Sequence, residues 1–195
     1  MRHGSSPKYV VPEIVEDVRR SVRFIRKNAA RFDVEPERLG VTGGSAGGHL
    51  SLMLGTTGDD GDPQAKDDVL QTSDRVAAVV AYFPPTDLRQ FVSPESPYYT
   101  NYPALHFEAS KADAYSPVLA VTPDDAPTLL IHGDKDTLVP LDHSQKILAE
   151  FQKNKVPSEL LVIPGGGHGF QGEDDRRAAA ARDAWLEKYL LKNHG

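Results

Sequence analysis

Segment 76–82 is an uninterrupted apolar run, rich in valine, and two prolines close behind it end the run. Such a run is typical of a β-strand with both faces covered, and strands of this kind occur mainly in parallel sheets. Segments 128–132 and Ser158–Ile163 have the same character, and segment 38–42 fits a shorter strand. The sequence therefore predicts about four strands in a mostly parallel sheet.

Helical patterns separate these strands. Segment 12–32 has apolar residues at steps of three and four with charged residues between them, and segments 46–54, 141–154 and 173–192 resemble it. Strands that alternate with helices form βαβ units. We therefore expect an α/β fold, built as a three-layer sandwich, with residues 1–195 in a single domain.

Residues 91–118 fit neither pattern, since they include four prolines and six aromatic residues. A long irregular segment inside a compact domain is often a lid or a binding loop. It is equally consistent with a packed surface excursion whose aromatic rings fill gaps. The candidates for a substrate pocket in this segment are Phe91, Tyr98, Tyr99 and His106.

Residues 43–47 read Gly-Gly-Ser-Ala-Gly, which matches G-x-S-x-G between a predicted strand and a predicted helix. In this context the pattern is typical of a nucleophile elbow, a sharp turn that lifts the Ser45 hydroxyl above the sheet. We expect the glycines two residues either side of the serine to leave room for the bend. Gly44 gives the substrate clearance, and the Ala46 N–H faces a developing oxyanion. A phosphate loop is disfavoured because its Lys-Ser/Thr pair is missing, while a plain tight turn stays open.

Two further polar residues follow the last two predicted strands. Asp136 lies in the turn after the third strand, and His168 lies among glycines after the fourth. Parallel sheets hold functional groups at the carboxyl ends of their strands, and the order Ser, Asp, His occurs in serine hydrolases of this topology. Ser45 would be the nucleophile, His168 the base and Asp136 the acid that orients the base. We expect the glycines to make the His168 loop mobile, and Asp134 to shape its own turn through local backbone bonds.

These motifs resemble the esterase branch of the α/β hydrolases, and within it the carboxylesterase and feruloyl-esterase-like group. The resemblance extends over nearly the whole chain and implies hydrolysis of a small-molecule carboxylic ester through an acyl-enzyme, without a metal or organic cofactor. The residues that carry it are 43–49, 82–88, 132–140 and 165–170.

The resemblance breaks at the start of the chain. Members of this group have about eight strands, and the helix at 12–32 resembles the one before the nucleophile strand, so the first half of the sheet would lie before Met1. The His-Gly-Gly loop that gives the second oxyanion donor would be missing too, since His3 and Gly4 lie too close to the helix. Losing one donor typically lowers turnover by about 10²–10³. The strand at 38–42 would become an exposed edge, which favours self-association into a homo-oligomer.

Three functions stay open. The first is a carboxylic-ester hydrolase, and the second is a serine peptidase of the prolyl-peptidase type, which shares the Asp and His motifs. The third is a truncated, catalytically weak or inactive relative that acts as a binding or assembly module.

Composition argues against several other classes. The formal net charge is −6 and no basic patch is interleaved with aromatic residues, so a nucleic-acid partner is not expected. The absence of cysteine excludes disulfides and a cysteine nucleophile. No apolar run approaches the roughly 18 residues of a membrane span, and the N-terminus lacks the features of a signal peptide. We therefore expect a cytoplasmic protein, or a secreted one if the natural chain starts upstream.

An acidic stretch precedes the second predicted strand and raises the question of a calcium loop. Its acids lack the ordered ligand-and-glycine spacing of such loops, so a solvated acidic stretch without a metal is the favoured interpretation. The acids are Asp59, Asp60, Asp62, Asp67 and Asp68.

Overall fold

The computed structural model describes residues 4–191. Four strands of the described range form one parallel sheet, as the sequence predicts, and their order in the sheet is their order along the chain. They are β1 (Gly40–Gly44), β2 (Ala78–Tyr82), β3 (Thr128–Gly133) and β4 (Ser158–Ile163).

Six α-helices lie within the described range. They are α1 (Val11–Lys27), α2 (Ala29–Phe32), α3 (Ala46–Thr57), α4 (Pro97–Asn101), α5 (Asp142–Lys153) and α6 (Gly172–Leu186). Short 3₁₀ turns occur at Pro103–Leu105, Ala109–Tyr115 and Pro117–Leu119, and a π-helical turn at Glu187–Leu191 follows α6.

Helices cover both faces of the sheet, which confirms the three-layer arrangement. On one face α1, α3 and α5 bury a core that includes Leu52, Leu130 and Phe151. On the other face α6 packs Ala178 and Trp185 against the sheet. The strands β2 and β3 lie between these two cores and are buried almost throughout, which accounts for their continuous apolar sequence.

Several predicted boundaries need correction, among them the start of the second strand, which is Ala78 rather than residue 76. The helix expected at 12–32 is interrupted at Asn28, whose side-chain amide donates to the Phe24 carbonyl. The first strand begins at Gly40 rather than residue 38, because the Arg38 N–H closes a turn by donating to the Glu35 carbonyl. The strand then includes Gly44, since the next amide, that of Ser45, still bonds to the end of β2.

The irregular segment 91–118 is organised by short helices and by a small core of its own. Phe91, Val92, Leu105 and Ala112 are buried in this core together with Leu88. The segment is therefore a packed excursion, and some of its rings also face the carboxyl end of the sheet, as described below.

The acidic stretch is exposed to solvent and also forms ion pairs with basic residues, most of them in α1. Arg19 and Arg23 both bind the fully buried carboxylate of Asp74, and the same two guanidinium groups pair with Asp59. Arg26 donates to the Ser73 carbonyl at 2.6 Å. The further pairs are Arg20–Asp67, Lys27–Asp68 and Arg75–Asp60.

The side chains of Asp59, Asp60, Asp67 and Asp68 are 38–83% exposed, so the stretch is solvated as expected, and the ion pairs add an anchor that the sequence did not indicate. Ion pairs therefore connect the loop between α3 and β2 to α1. The apolar side of α1 packs on α3, so this helix contacts both α3 and the loop that follows it. Among residues 4–191 no group of three acidic, histidine or cysteine side chains is arranged to hold a metal ion. Within the same residues, no helix is both long and apolar enough to cross a membrane.

Candidate active site

The turn from β1 to α3 forces Ser45 into a conformation that non-glycine residues rarely adopt. Its backbone has φ 55° and ψ −118°, and such a geometry costs about 1–3 kcal/mol unless the surroundings impose it. The Ser45 N–H donates to the Tyr82 carbonyl at 2.9 Å, which ties the turn to the end of β2. Ser45 therefore lies at the sharp junction of strand and helix, above the carboxyl end of the sheet.

Two glycines make this turn possible, but they are not the symmetrical pair expected from the sequence. A Cβ atom on Gly43 would lie 2.5 Å from the carbonyl carbon of Gly47, and one on Gly48 would lie 2.8 Å from the Tyr82 carbonyl oxygen. A Cβ atom on Gly47 would meet nothing within 4 Å. The close approach thus requires glycine at positions 43 and 48, whereas position 47 supplies only its backbone.

Asp136 lies in the turn after β3 and its carboxylate is fully buried. The Oδ1 atom accepts hydrogen bonds from the Leu138 and Val139 amides, each at 2.9 Å. Two backbone donors on one oxygen fix the plane of the carboxylate and leave Oδ2 facing the β4 loop.

His168 reaches across from the loop after β4 and joins the other two side chains. Its Nδ1 lies 2.7 Å from the Asp136 Oδ2, and its Nε2 lies 2.8 Å from the Ser45 Oγ. Three loops that are far apart in sequence thus bring a carboxylate, an imidazole and a hydroxyl into one hydrogen-bonded row.

Close contact between the β3 and β4 loops brings His168 to this position. A Cβ atom on Gly133 would lie 2.2 Å from the Gly166 carbonyl oxygen, so the loops can meet only because residue 133 is glycine. The Lys135 N–H donates to the same oxygen at 2.9 Å. The sequence predicts that the Asp134 side chain bonds the backbone of its own turn. In the structure its Oδ1 instead accepts a hydrogen bond from the Gly165 N–H, at 2.7 Å, in the loop after β4. It therefore fastens one loop to the other.

An aromatic ring that the sequence reasoning did not single out packs on the imidazole. The Phe83 ring centroid lies 4.6 Å from that of His168 and 5.5 Å from that of Phe170. Phe83 follows β2 directly and has φ 36°, so it occupies the same strand-end position that pointed to the polar residues. The position directly after a buried strand is therefore the sequence feature that indicates Phe83.

A cavity of about 140 Å³ opens beside Ser45 and Ala46. Phe91 and Tyr98, both candidates from the irregular segment, line it, and their rings pack together at 4.4 Å. The rest of the wall is mainly apolar and includes Leu88, Tyr102, Ala104, Leu105, Leu138 and Val139.

The other three pocket candidates lie outside this lining. The Tyr99 and His106 ring centroids lie 4.3 Å apart, and the His106 Nε2 bonds the Tyr99 carbonyl. The two residues therefore contact each other near the surface rather than the cavity. Gly44 faces Phe83, whose ring atoms would lie 3.2 Å from an added Cβ. In an irregular segment the residue type does not reveal which way a side chain points, and a part of these three residues in substrate binding stays a prediction.

A buried histidine also borders the cavity. His49 lies one helical turn after Ser45, and its Nε2 bonds the Tyr115 carbonyl at 2.8 Å. Burial lowers the pKa of His49 to about 4, although the Tyr115 carbonyl favours the charged form. His49 is therefore neutral at physiological pH and anchors the irregular segment to α3.

The start of α3 places a backbone N–H donor beside the cavity. Ala46 is the first residue of α3 and lines the cavity next to Ser45, and the first N–H groups of a helix have no intrahelical partner. The positive end of the helix dipole adds to the attraction for negative charge there. Of the two residues that echo a second-donor loop, His3 lies outside the described residues, and the Gly4 N–H donates to the Asp17 carboxylate at 2.7 Å.

Comparison with known proteins shows that the chain is similar to esterases. Esterase LipC of Mycobacterium tuberculosis is 28% identical over 188 residues, which cover 92% of this chain and 46% of LipC. The probable carboxylic ester hydrolase LipM of the same organism is 27% identical over 201 residues, which cover 98% of this chain and 46% of LipM. This chain thus spans about half the length of the curated relatives it matches.

A solved structure superposes closely on the whole described fold. It is a truncated form of a carbohydrate esterase from gut microbiota, with a TM-score of 0.83 and 28% identity, covering 98% of this chain and 73% of that chain. Together with the parallel sheet and its two helical layers, this likeness defines the fold as that of an α/β hydrolase. The model of the BD-FAE family matches residues 1–151. The chain belongs to BD-FAE, an esterase family of α/β hydrolases, which confirms the resemblance seen in the motifs.

Proposed function

We propose that this chain hydrolyses carboxylic esters through an acyl-enzyme, with Ser45 as nucleophile, His168 as base and Asp136 as the acid that orients the base. The observation that carries the proposal is the position of the His168 ring. Its two nitrogens lie 2.8 Å from the Ser45 Oγ and 2.7 Å from the Asp136 Oδ2. The esterase relatives support the same class of reaction.

The direction of proton transfer follows from the partners of the ring. The Asp136 carboxylate can only accept hydrogen bonds when ionised, so Nδ1 of His168 carries the proton and Nε2 keeps its lone pair. Nε2 therefore takes the hydroxyl proton as the Ser45 Oγ attacks the ester carbonyl carbon, and Asp136 stabilises the imidazolium that forms. The imidazolium then protonates the leaving alcohol, and water attacks the acyl-enzyme by the same route.

The Ala46 N–H is the proposed oxyanion donor. When Ser45 attacks, the carbonyl oxygen gains negative charge close to the start of α3, where the N–H and the helix dipole both stabilise it. A donor of this kind typically contributes a factor of about 10²–10³ to turnover.

The cavity is proposed to hold the acyl group. The leaving oxygen must lie against His168 to receive its proton, so the alcohol lies on the His168 side of Ser45. The cavity wall includes Ser45 and Ala46 but not His168, and it therefore lies on the acyl side. Its volume of about 140 Å³ is small beside the roughly 300–1,000 Å³ of pockets for drug-sized ligands, which favours short acyl groups. The carbohydrate esterase neighbour suggests sugar esters as a class to include among the substrates tested.

The test is hydrolysis of p-nitrophenyl acetate by the purified chain and by Ser45→Ala and His168→Ala. Residues that act as one unit lose nearly the same activity when removed singly or together. We therefore expect the two variants to lose turnover equally, and the double variant to lose no more. A fluorophosphonate probe should label the wild type at Ser45 and leave Ser45→Ala unlabelled.

Other outcomes distinguish the remaining functions. Hydrolysis of a prolyl dipeptide amide in preference to the ester would identify a peptidase. A folded wild-type chain that neither turns over esters nor reacts with the probe would contradict the proposal and favour a binding or assembly module.

The edge of the sheet suggests a partner as well. Within the described residues β1 pairs only with β2. The Leu39 carbonyl accepts a hydrogen bond from the Ala77 N–H, and the Ser45 N–H donates to the Tyr82 carbonyl, so both residues bond toward β2. Since successive residues of a strand point their N–H and C=O groups to opposite sides, Gly40, Thr42 and Gly44 point theirs outward. We propose that this edge pairs with another copy of the chain.

A further inference from the structure

A second histidine lies directly behind the Asp136 carboxylate. His132 is in β3 and is fully buried. Its Nε2 lies 2.8 Å from the Val139 carbonyl oxygen and 3.4 Å from the Asp136 Oδ2, and its Nδ1 lies 2.7 Å from the Ser144 Oγ in α5.

The partners of the His132 ring determine where its proton lies. The Val139 carbonyl can only accept, so Nε2 carries the proton and donates to it. Nδ1 then has the lone pair and accepts from the Ser144 hydroxyl. The Nε2 proton points toward Val139 and also toward the Asp136 Oδ2, the oxygen that accepts from His168 Nδ1.

His132 thereby closes the turn that holds the carboxylate. Val139 donates its N–H to the Asp136 Oδ1 and receives the His132 proton on its carbonyl oxygen. Without that donor the Val139 carbonyl would be a buried acceptor with no partner, which costs about 1–3 kcal/mol. This cost would favour a rearrangement of the turn that exposes or re-pairs the Val139 carbonyl, and the Asp136 carboxylate would rotate with the turn.

We propose that His132 is a positioning residue that keeps the Asp136 Oδ2 aimed at His168. This inference rests on the proposed esterase function, because it assigns His132 a part in the same site. His132 touches neither the substrate nor the reacting atoms and acts through Asp136 alone.

The role also requires that His132 be uncharged. A cationic ring beside Asp136 would compete with the His168 imidazolium for the same carboxylate. Burial lowers the pKa of His132, against the opposing influence of the Val139 carbonyl and Asp136, and the nearby His168 lowers it further. His143 of α5 is a further titratable neighbour that interacts with His132, and burial lowers the pKa of His143 as well.

Two substitutions separate the two ends of the His132 ring. His132→Gln places an amide near the position of Nε2 and keeps a donor for Val139 and Asp136. His132→Asn places its amide near Nδ1, keeps a partner for Ser144 and loses the donor at the carboxylate end. The two variants are similar in polarity, so a difference between them reports which end of the ring matters.

Turnover and its pH dependence are measured with p-nitrophenyl acetate, with thermal unfolding as the check on folding. We expect His132→Asn to lower kcat on the order of 10–100-fold, as misplacement of a reacting group does, with KM nearly unchanged. The acidic midpoint of kcat/KM should move to lower pH, because His168 loses a well-aimed carboxylate. His132→Gln should retain most of the activity and the wild-type midpoint. Equal behaviour of the two variants, or an unchanged midpoint in a folded His132→Asn, would overturn the proposal.

A measurement that needs no turnover keeps the inference testable if the variants fail to fold. The ¹⁵N shifts of the wild-type His132 ring, assigned through bonds from the His132 backbone resonances, should show an imidazole that is neutral at pH 7 and protonated on Nε2. The His49 ring, whose Nε2 also bonds a carbonyl oxygen, gives the reference shifts for this tautomer. A His132 that is cationic or protonated on Nδ1 would refute the assignment. An inactive wild type with the expected tautomer would instead refute the esterase proposal and leave the geometry of His132 intact.

Discussion

Gly43 and Gly47 approach so closely across the turn at Ser45 that a Cβ atom on the first would lie 2.5 Å from the carbonyl carbon of the second. The reverse does not hold, since a Cβ atom on Gly47 meets nothing within 4 Å. Position 43 therefore requires glycine for steric reasons, whereas position 47 has room for a side chain. Substituting each glycine by alanine should show this difference in stability.

Gly43→Ala should destabilise the fold and abolish ester hydrolysis, because the methyl group can be accommodated only by moving the turn backbone. We expect a loss of about 1–3 kcal/mol, as for overpacking of a tight interior. Gly47→Ala, the matched control, should keep or slightly raise stability because alanine is favoured over glycine within a helix by about 0.8–1 kcal/mol. Urea unfolding of both variants provides the measurement, and equal stability of the two would contradict this account of the turn.

Asp136→Asn should leave the turn folded and remove most of the turnover. The amide oxygen can still accept from Leu138 and Val139, but the NH₂ group faces His168 Nδ1 and favours the tautomer that cannot take the Ser45 proton. In a triad this change lowers kcat by about 10⁴. Asp142→Asn is the control, since that carboxylate is exposed and pairs with Lys146. Comparable kcat values for the two variants on p-nitrophenyl acetate would argue against an orienting role for Asp136.

Ala104→Leu should shift the chain-length preference toward shorter acyl groups. Ala104 lines the cavity beside Ser45, so three added carbons occupy space that a longer acyl chain needs. One methylene in an apolar pocket changes specificity by about 10–200-fold, and we expect the ratio of butyrate to acetate hydrolysis to fall at least tenfold. Ala109→Leu, on the exposed side of the same segment, should leave the ratio unchanged. If the ratio stays constant in Ala104→Leu, the cavity is not the acyl site.

The sequence predicts the sheet and the strand ends well because both depend on local patterns. Continuous apolar runs indicate buried parallel strands, and polar residues just after them indicated Asp136 and His168. The structure brings the atoms of these two residues within hydrogen-bond distance of each other. Phe83 is harder to recognise as a site residue, because an aromatic residue after a buried strand resembles a continuation of the core.

The features that the sequence did not predict depend on contacts between distant segments. No pattern around Asp74 indicates that two arginines of α1 reach it, and no pattern around His132 indicates that Ser144 and Val139 bond its two nitrogens. Tyr99 and His106 illustrate the same limit, since no pattern around them indicates that their rings contact each other.

The buried ion pairs of Asp74 with Arg19 and Arg23 give a prediction about the free energy of unfolding that is independent of activity. The Arg19 and Arg23 side chains are only 15% and 7% exposed, and both bind the fully buried Asp74 carboxylate. Asp74→Asn leaves these cations without their full counter-charge, and breaking a buried pair from one side costs about 3–5 kcal/mol. Asp67→Asn removes an exposed partner of Arg20 and should have little effect. Chemical unfolding should therefore rank Asp74→Asn far below Asp67→Asn, and similar midpoints would mean that α1 is not anchored through this carboxylate.

The open edge of β1 leads to a prediction about assembly. Thr42 has an exposed side chain at the middle of the strand, and its backbone groups point away from β2. If two copies pair along this edge, light scattering at micromolar concentration should give twice the mass of one chain. Thr42→Lys should restore a single-chain mass, because a lysine on an edge strand opposes pairing with a like strand. Gln152→Lys adds the same charge on the exposed side of α5 and should leave the dimer intact. A monodisperse single-chain mass for the wild type would rule out pairing, and loss of the dimer in both variants would attribute association to net charge rather than to β1.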